Sequence, residues 1–269
     1  MNVNAVSLKG RRDSNEDKHS IILNEDGRDN NYISANYYAV YDGHGGKYVS
    51  NFLSEYMPRL LMKKDVKYPL SKQFILEMYK KTQDELKNNH KKNATHCGST
   101  CLIIIHYKSP KDGRYYFDLM NTGDSRAIIC RDNLANGICK DHKPNWPEEK
   151  HRIQKLGGHI YFDGEDYRIK DLSVSRAIGD IGAEPYVTYT PDIYRYRIEK
   201  KDKFIVMACD GLWYKLSNQE VANFILIECY DSTTSLRINK EINIAKKLGE
   251  YAIQRRSTDN ITIIIIFFD

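Results

Sequence analysis

Long hydrophobic runs are missing from this sequence. Its longest apolar stretch, Ile261–Phe268, is strand-sized and far short of the roughly 18 residues that a membrane-spanning helix needs. The opening residues, MNVNAVSLKGRRDSNED, lack the apolar core of a secretory signal, so a cytoplasmic or nuclear setting is expected. The cysteines Cys97, Cys101, Cys130, Cys139, Cys209 and Cys229 form no C-x-x-C pair, which argues against zinc and for a reduced chain. There are only 7 prolines and no internal repeat or low-complexity linker, so one domain over residues 1–269 is expected. A charge of one sign is also lacking. The 41 Lys and Arg against 36 Asp and Glu leave a net +5, and the lysines are scattered rather than striped. Neither a nucleic-acid partner nor a membrane partner is expected from such a surface, and a monomer is the simplest reading.

What is present is an ordinary globular composition, 41% apolar and 29% charged, on a chain of 269 residues. That length buries a sizeable core without disulfides. The aromatic, β-prone run Asn36–Tyr41 reads as a strand that stops at Asp42-Gly43. Tyr48, Val49, Phe52, Leu53, Tyr56, Met57, Leu60 and Leu61 recur at helical spacing, and residues 71–86 repeat the pattern. Three strands follow at Cys101–Tyr107, Tyr115–Met120 and Ala127–Cys130, their short connections implying antiparallel pairing. Pro147 and Gly157-Gly158 bracket a short helix, and residues 159–169 form a hairpin about Asp163-Gly164. Phe204–Cys209 is a buried strand. Ser217 and Glu220 form a capping box that opens a helix through about Cys229. Ile238, Ile242, Ala245, Leu248 and Ala252 predict one more helix, and Ile261–Phe268 a strand covered on both faces. Strands in groups with helices between the groups imply an α+β fold, sheet layers faced by helices.

Acidic residues interrupt these runs at telling places. Asp42 and Asp210 end strands, Asp124 sits at the turn between two more, and Asp259 just precedes the last. Each alone reads as a turn former. If all four lie at one sheet edge, their carboxylates repel unless cations neutralise them, and oxygen-only ligands favour hard ions such as Mg²⁺ or Mn²⁺.

Eight short motifs then stand in order. They are Gly10-Arg11-Arg12 through Asn15-Glu16-Asp17, Tyr41-Asp42-Gly43-His44-Gly45-Gly46, Gly98-Ser99-Thr100 and Asn121-Thr122-Gly123-Asp124-Ser125-Arg126. After these come Asp141-His142-Lys143-Pro144, Ser175-Arg176-Ala177-Ile178-Gly179-Asp180, Ala208-Cys209-Asp210-Gly211-Leu212-Trp213 and Thr258-Asp259-Asn260-Ile261. Together they resemble the metal-dependent protein phosphatases, the PPM or type 2C serine/threonine phosphatases, over nearly the whole chain.

The resemblance implies a central antiparallel β-sandwich flanked on both faces by α-helices, four layers in all. It implies a phosphatase acting on phosphorylated proteins through two Mg²⁺ or Mn²⁺ ions, a hydroxide bridging them attacking phosphorus. Asp42 would bridge the two ions and the Gly43 carbonyl would bind one of them. Glu16 would support one ion partly through water. Asp210 and Asp259 would hold the other, and Asp17 would hydrogen-bond metal-bound water. Asp124 resembles the ligand of a third, weaker ion. Arg12 would grip the substrate phosphate. His44, between glycines and two residues from Asp42, is favoured as the general acid. His19, His90, His96, His106, His142, His151 and His159 lack such context and read as structural or surface residues. Residues 145–173 correspond to a flap beside the site.

One position departs from the pattern. Tyr214 follows Trp213 where the family usually has a second aspartate, so the third ion should be weak and its position empty or water-filled, the competing outcome being that Tyr214 packs against the next helix. A catalytically inactive scaffold of the same family is the competing class. Such members lose metal carboxylates or the phosphate-binding arginine, and this chain keeps them all.

Overall fold

A computed structural model describes residues 2–23, 35–63 and 65–268. Two five-stranded antiparallel sheets form its centre. In the first, the order is Asn2–Leu8, Ile261–Phe267, Asp202–Ala208, Arg126–Arg131, Leu134–Gly137. In the second it is Asp192–Arg197, Tyr115–Thr122, Cys101–Lys108, Ala35–Tyr41, Lys18–Ile22.

Side-chain alternation explains the layers. In Ala35–Tyr41, Tyr38 and Val40 point between the sheets, where they meet Leu102, Phe117, Met207 and Ile264. Tyr37, Ala39 and Tyr41 point outward onto Leu53, Met57 and Tyr79 of the helices Tyr48–Leu61 and Lys72–Asn89. The first sheet repeats the arrangement. Ile263, Ile265 and Phe267 face the helices Asn218–Cys229 and Ile244–Gln254, while Ile264 and Ile266 face the other sheet. Both faces of Ile261–Phe267 are therefore covered, and each buried isoleucine there contributes roughly 1.5–3 kcal/mol. The result is the expected helix–sheet–sheet–helix stack.

Local signals act where the sequence placed them. Ser71 caps its helix by accepting from the Phe74 amide at 3.1 Å, and the Ser217–Glu220 capping box is formed. Tyr161–Phe162 pairs with Tyr167–Arg168 as the hairpin about Asp163-Gly164. The last helix is shorter than its apolar spacing suggested. Ile238 and Ile242 lie before it, because Asn239 takes a left-handed backbone (φ 52°) and the Asn243 side chain caps Ile244–Gln254 at the Lys246 amide. The strands Asn2–Leu8, Lys18–Ile22, Leu134–Gly137 and Asp192–Arg197 were not evident from patterning. They are the four sheet edges, half-exposed and weakly apolar. None of the six cysteines is in a disulfide among the described residues. No helix among the described residues is long and apolar enough to cross a membrane.

Register brings the interrupted strand ends together. Ala208 pairs with both Ile263 and Arg126, so Asp210, Asp259 and the Asp124 turn share one end of the first sheet. Val40 pairs with Leu102 and Cys101 with Thr122, which puts Asp42 and Asp124 at the same end of the second.

Candidate active site

At that end opens a cleft of about 520 Å³. Arg12, Glu16, Asp42, Gly43, His44, Asp124, Asp210 and Asp259 all line it. Asp17 lies beneath, 2% exposed. The structure thus gathers every residue singled out in the sequence.

The backbone that holds them is cross-linked at long range. Asn260 donates to the carbonyls of Lys9 (2.8 Å) and Ser14 (2.9 Å) and accepts from the Glu16 amide (2.8 Å), tying the arginine-bearing loop to the last strand. The Thr100 hydroxyl accepts from the Asp42 amide at 3.0 Å and meets Ser125 at 2.7 Å. Glu16 accepts from the Gly46 amide at 3.0 Å. Gly43 passes so close to the Glu16 carbonyl that any side chain there would collide with it.

The carboxylates are crowded. Asp42, Asp124 and Asp210 offer oxygens within 4.8 Å of one another, and Asp17, Asp42 and the Cys209 thiol form a second such group. Asp259 stands outside both groups, its Oδ2 accepting from Arg12 Nη2 at 2.8 Å. Neither oxygen of Asp17 has a well-formed hydrogen bond, although Thr262 and Cys209 are near. Burial pushes Asp17 up to about 6. Burial, then the charges of Asp17, Asp210 and Asp124, raise Asp42 well above the carboxylate range, and burial with Asp124 does the same to Asp210. This is an oxygen-rich, under-neutralised cluster, and its donor set suits a hard divalent cation.

His44 is held at the cleft by a buried carboxylate. Its Nε2 lies 2.6 Å from Oδ2 of Asp180, a residue 3% exposed with a left-handed backbone (φ 43°). The Asp180 amide and carbonyl are fixed by Cys97 and Ala183. Only glycine fits at position 98, since a Cβ would strike both the Asp180 carboxylate and the His44 ring. Burial pulls the imidazole pKa down, but the Asp180 charge and hydrogen bond, joined by the charges of Asp124 and Glu16, together outweigh it, and the net shift is upward.

Several partners were not evident from sequence. Asp180 was seen as part of a motif without a role. His96, set aside with the structural histidines, lines the cleft. The Asp141-His142-Lys143 motif splits three ways. Asp141 pairs with Arg126 at 2.6 Å, His142 Nδ1 accepts from the Gly123 amide at 3.1 Å, and Lys143 Nζ lies 2.5 Å from Asp124. Tyr214 is 51% exposed rather than packed on the following helix. Arg168, Asp171, Leu172 and Ser173 of the flap form one wall of the cleft.

A sandwich with this carboxylate-lined end defines a class, and comparison with known proteins gives its family. A sequence profile described as Protein phosphatase 2C matches residues 1–261, and the chain belongs to that family of protein serine/threonine phosphatases. Integrin-linked kinase-associated serine/threonine phosphatase 2C of Homo sapiens is 34% identical over 283 residues, 96% of this chain and 70% of that protein. A PP2C-like domain-containing protein of Acanthamoeba polyphaga mimivirus is 44% identical over 171 residues, 58% of this chain and 96% of that one. Among solved structures, a Caenorhabditis elegans sex determining protein superposes with TM-score 0.85 at 21% identity, covering 100% of this chain and 65% of its own. Serine-threonine phosphatase 2C from Toxoplasma gondii gives 0.78 at 22%, covering 99% and 94%. These two likenesses speak to the fold.

Proposed function

We propose that this chain hydrolyses phosphoserine and phosphothreonine monoesters on proteins, at a centre for two Mg²⁺ or Mn²⁺ ions. The observation that carries the reading is the meeting of Asp42, Asp124 and Asp210 in a cleft that also holds Arg12 and the His44–Asp180 pair. Asp42 would be the central ligand, and Glu16, the Gly43 carbonyl, Asp210 and Asp259 would complete the set that holds the ions. Asp17, buried beneath the cluster, would orient metal-bound water. Divalent ions held there supply charge neutralisation on the phosphoryl oxygens and acidify the attacking water.

The chain's own residues do the rest. Arg12 is exposed at the cleft mouth on the flexible end of a long side chain, so its fork can leave Asp259 for a phosphate. Asp180 occupies His44 Nε2, which leaves Nδ1 to hand a proton to the departing serine or threonine oxygen. A positioned donor of that kind contributes roughly 10²–10⁴-fold. The test is turnover of a phosphothreonine peptide with Mn²⁺, with and without EDTA, alongside Asp42→Ala. Turnover that EDTA abolishes and Asp42→Ala brings to background is the expected result. Full activity in excess EDTA overturns the reading.

A further inference from the structure

Asp124 carries a cation already. Its Oδ2 accepts from Lys143 Nζ at 2.5 Å, and the lysine side chain is only 17% exposed. The same ammonium donates to Tyr214 Oη at 2.9 Å and stands 5.0 Å from the centre of its ring. Tyr214 Oη in turn donates to Asp166 Oδ2 at 2.7 Å. Asp166 sits in the flap hairpin, between the strands Tyr161–Phe162 and Tyr167–Arg168.

The chain Asp124–Lys143–Tyr214–Asp166 therefore runs from the acidic cluster to the flap. Among the described residues, the hairpin's other side-chain hydrogen bonds stay within the flap, Asp163 with Arg168 and Tyr161 with Asp171. The Tyr214–Asp166 bond is, among the described residues, the one that leaves for the catalytic end of the sandwich. Tyr214 is itself anchored one turn beyond a cluster carboxylate, its amide donating to the Asp210 carbonyl at 2.8 Å. A phenol suits this position because it accepts from an ammonium and donates to a carboxylate at once. Aspartate could do the first but would repel Asp166, and phenylalanine could do neither.

We propose that Tyr214 is a positioning residue that latches the flap hairpin onto the cleft, with the Lys143 ammonium standing where a third divalent ion would otherwise sit beside Asp124. The residues at hand do not fit that third ion. One carboxylate oxygen is taken by Lys143, and the second carboxylate is replaced by a neutral phenol. The flap is then set by the protein's own bonds rather than by metal occupancy. Because Arg168 and Asp171 of the same segment wall the cleft, the latch fixes the shape of the entrance. The importance of that entrance rests on the phosphatase reading, but the latch itself does not.

The experiment reads hydrogen exchange at the amides of residues 161–168 in the full chain, in EDTA and again with Mn²⁺. Tyr214→Phe keeps the ring and removes the hydroxyl, and Asp166→Ala removes the acceptor from a surface hairpin without touching the core. Both should speed exchange there by roughly tenfold, the effect of one hydrogen bond to a charged group, in EDTA and in Mn²⁺ alike. A melting temperature near that of the wild type shows that the variants are folded. Exchange unchanged in both variants overturns the latch. The second arm counts bound Mn²⁺ by equilibrium dialysis. Lys143→Met combined with Tyr214→Asp should bind one more ion per chain than the wild type, whereas Tyr214→Asp alone should not, because its carboxylate pairs with Lys143. An equal count in the double variant and the wild type overturns the role given to Lys143. A wild type that binds no Mn²⁺ at all would refute the proposed metal centre, while the exchange arm in EDTA still decides the latch.

Discussion

Replacing Asp180 by asparagine isolates what a buried carboxylate does for His44. The substitution keeps shape and removes charge, and asparagine accepts the left-handed backbone of position 180 as readily as aspartate. The backbone bonds to Cys97 and Ala183 are untouched. What changes is the 2.6 Å contact at His44 Nε2, from a charge-assisted hydrogen bond to a neutral one. A bond to a charged group contributes about 1.5–3 kcal/mol and a neutral one about 1, so the imidazole loses roughly 1–2 kcal/mol of orientation and charge support. At 1.36 kcal/mol per decade, that is on the order of 5–30-fold in rate. The loss stays below the roughly 10²–10⁴-fold that a general acid supplies. It should fall on substrates whose leaving oxygen needs a proton. A phosphothreonine peptide should slow by that factor in kcat, whereas p-nitrophenyl phosphate, with its acidic leaving group, should change little. His44→Gln should show the same split, larger. In the double variant the Asp180 effect should vanish, since a residue acting through His44 has nothing left to act on. Equal losses on the two substrates, or fully multiplicative losses in the double variant, would refute the reasoning.

Arg12→Ala should raise KM for both substrates while leaving Mn²⁺ affinity nearly unchanged, as measured by steady-state kinetics at several metal concentrations. Asp42→Ala should lose turnover, yet in EDTA it should melt at or above the wild type, because it relieves repulsion among buried carboxylates; a clear drop in melting temperature would speak against that crowding. Mn²⁺ should raise the melting temperature of the wild type and not of Asp42→Ala. His106 is buried, and burial lowers its pKa to about 4. Between pH 6.5 and 4 the unfolded chain binds a proton there that the folded chain does not, so stability should fall with pH across that window by up to roughly 3 kcal/mol. Urea unfolding of His106→Gln should show a flatter acid limb, and an unchanged limb would remove His106 from the account.

The parts of the fold that were legible are the parts buried on two sides. Ile261–Phe267 and Asp202–Ala208 are apolar runs because each face meets a layer of core, and the Ser217–Glu220 capping box announced the start of its helix. The four edge strands were silent for the converse reason. Lys18–Ile22 and Asp192–Arg197 are half-exposed, so their composition matches that of a loop, and their strand character comes from a neighbour far along the chain.

The site divides along a similar line. Acidic residues at strand ends could be read locally, since a carboxylate closing an apolar run is itself an anomaly. Cations and orienting groups could not, because their meaning lies in partners distant in sequence. His44 and Asp180 are 136 residues apart, and Arg12 and Asp259 are 247 apart. Lys143 belonged to a recognisable motif, but nothing local says that its ammonium ends on Asp124 rather than in solvent. Tyr214 shows the limit most plainly. Its departure from the family pattern was visible and implied a missing ligand. The structure adds that a phenol can hold two opposite partners at once, here an ammonium on one side and a flap carboxylate on the other. A substitution that subtracts a charge from the cluster thereby adds a bond to the flap, and only the three-dimensional arrangement makes that exchange visible.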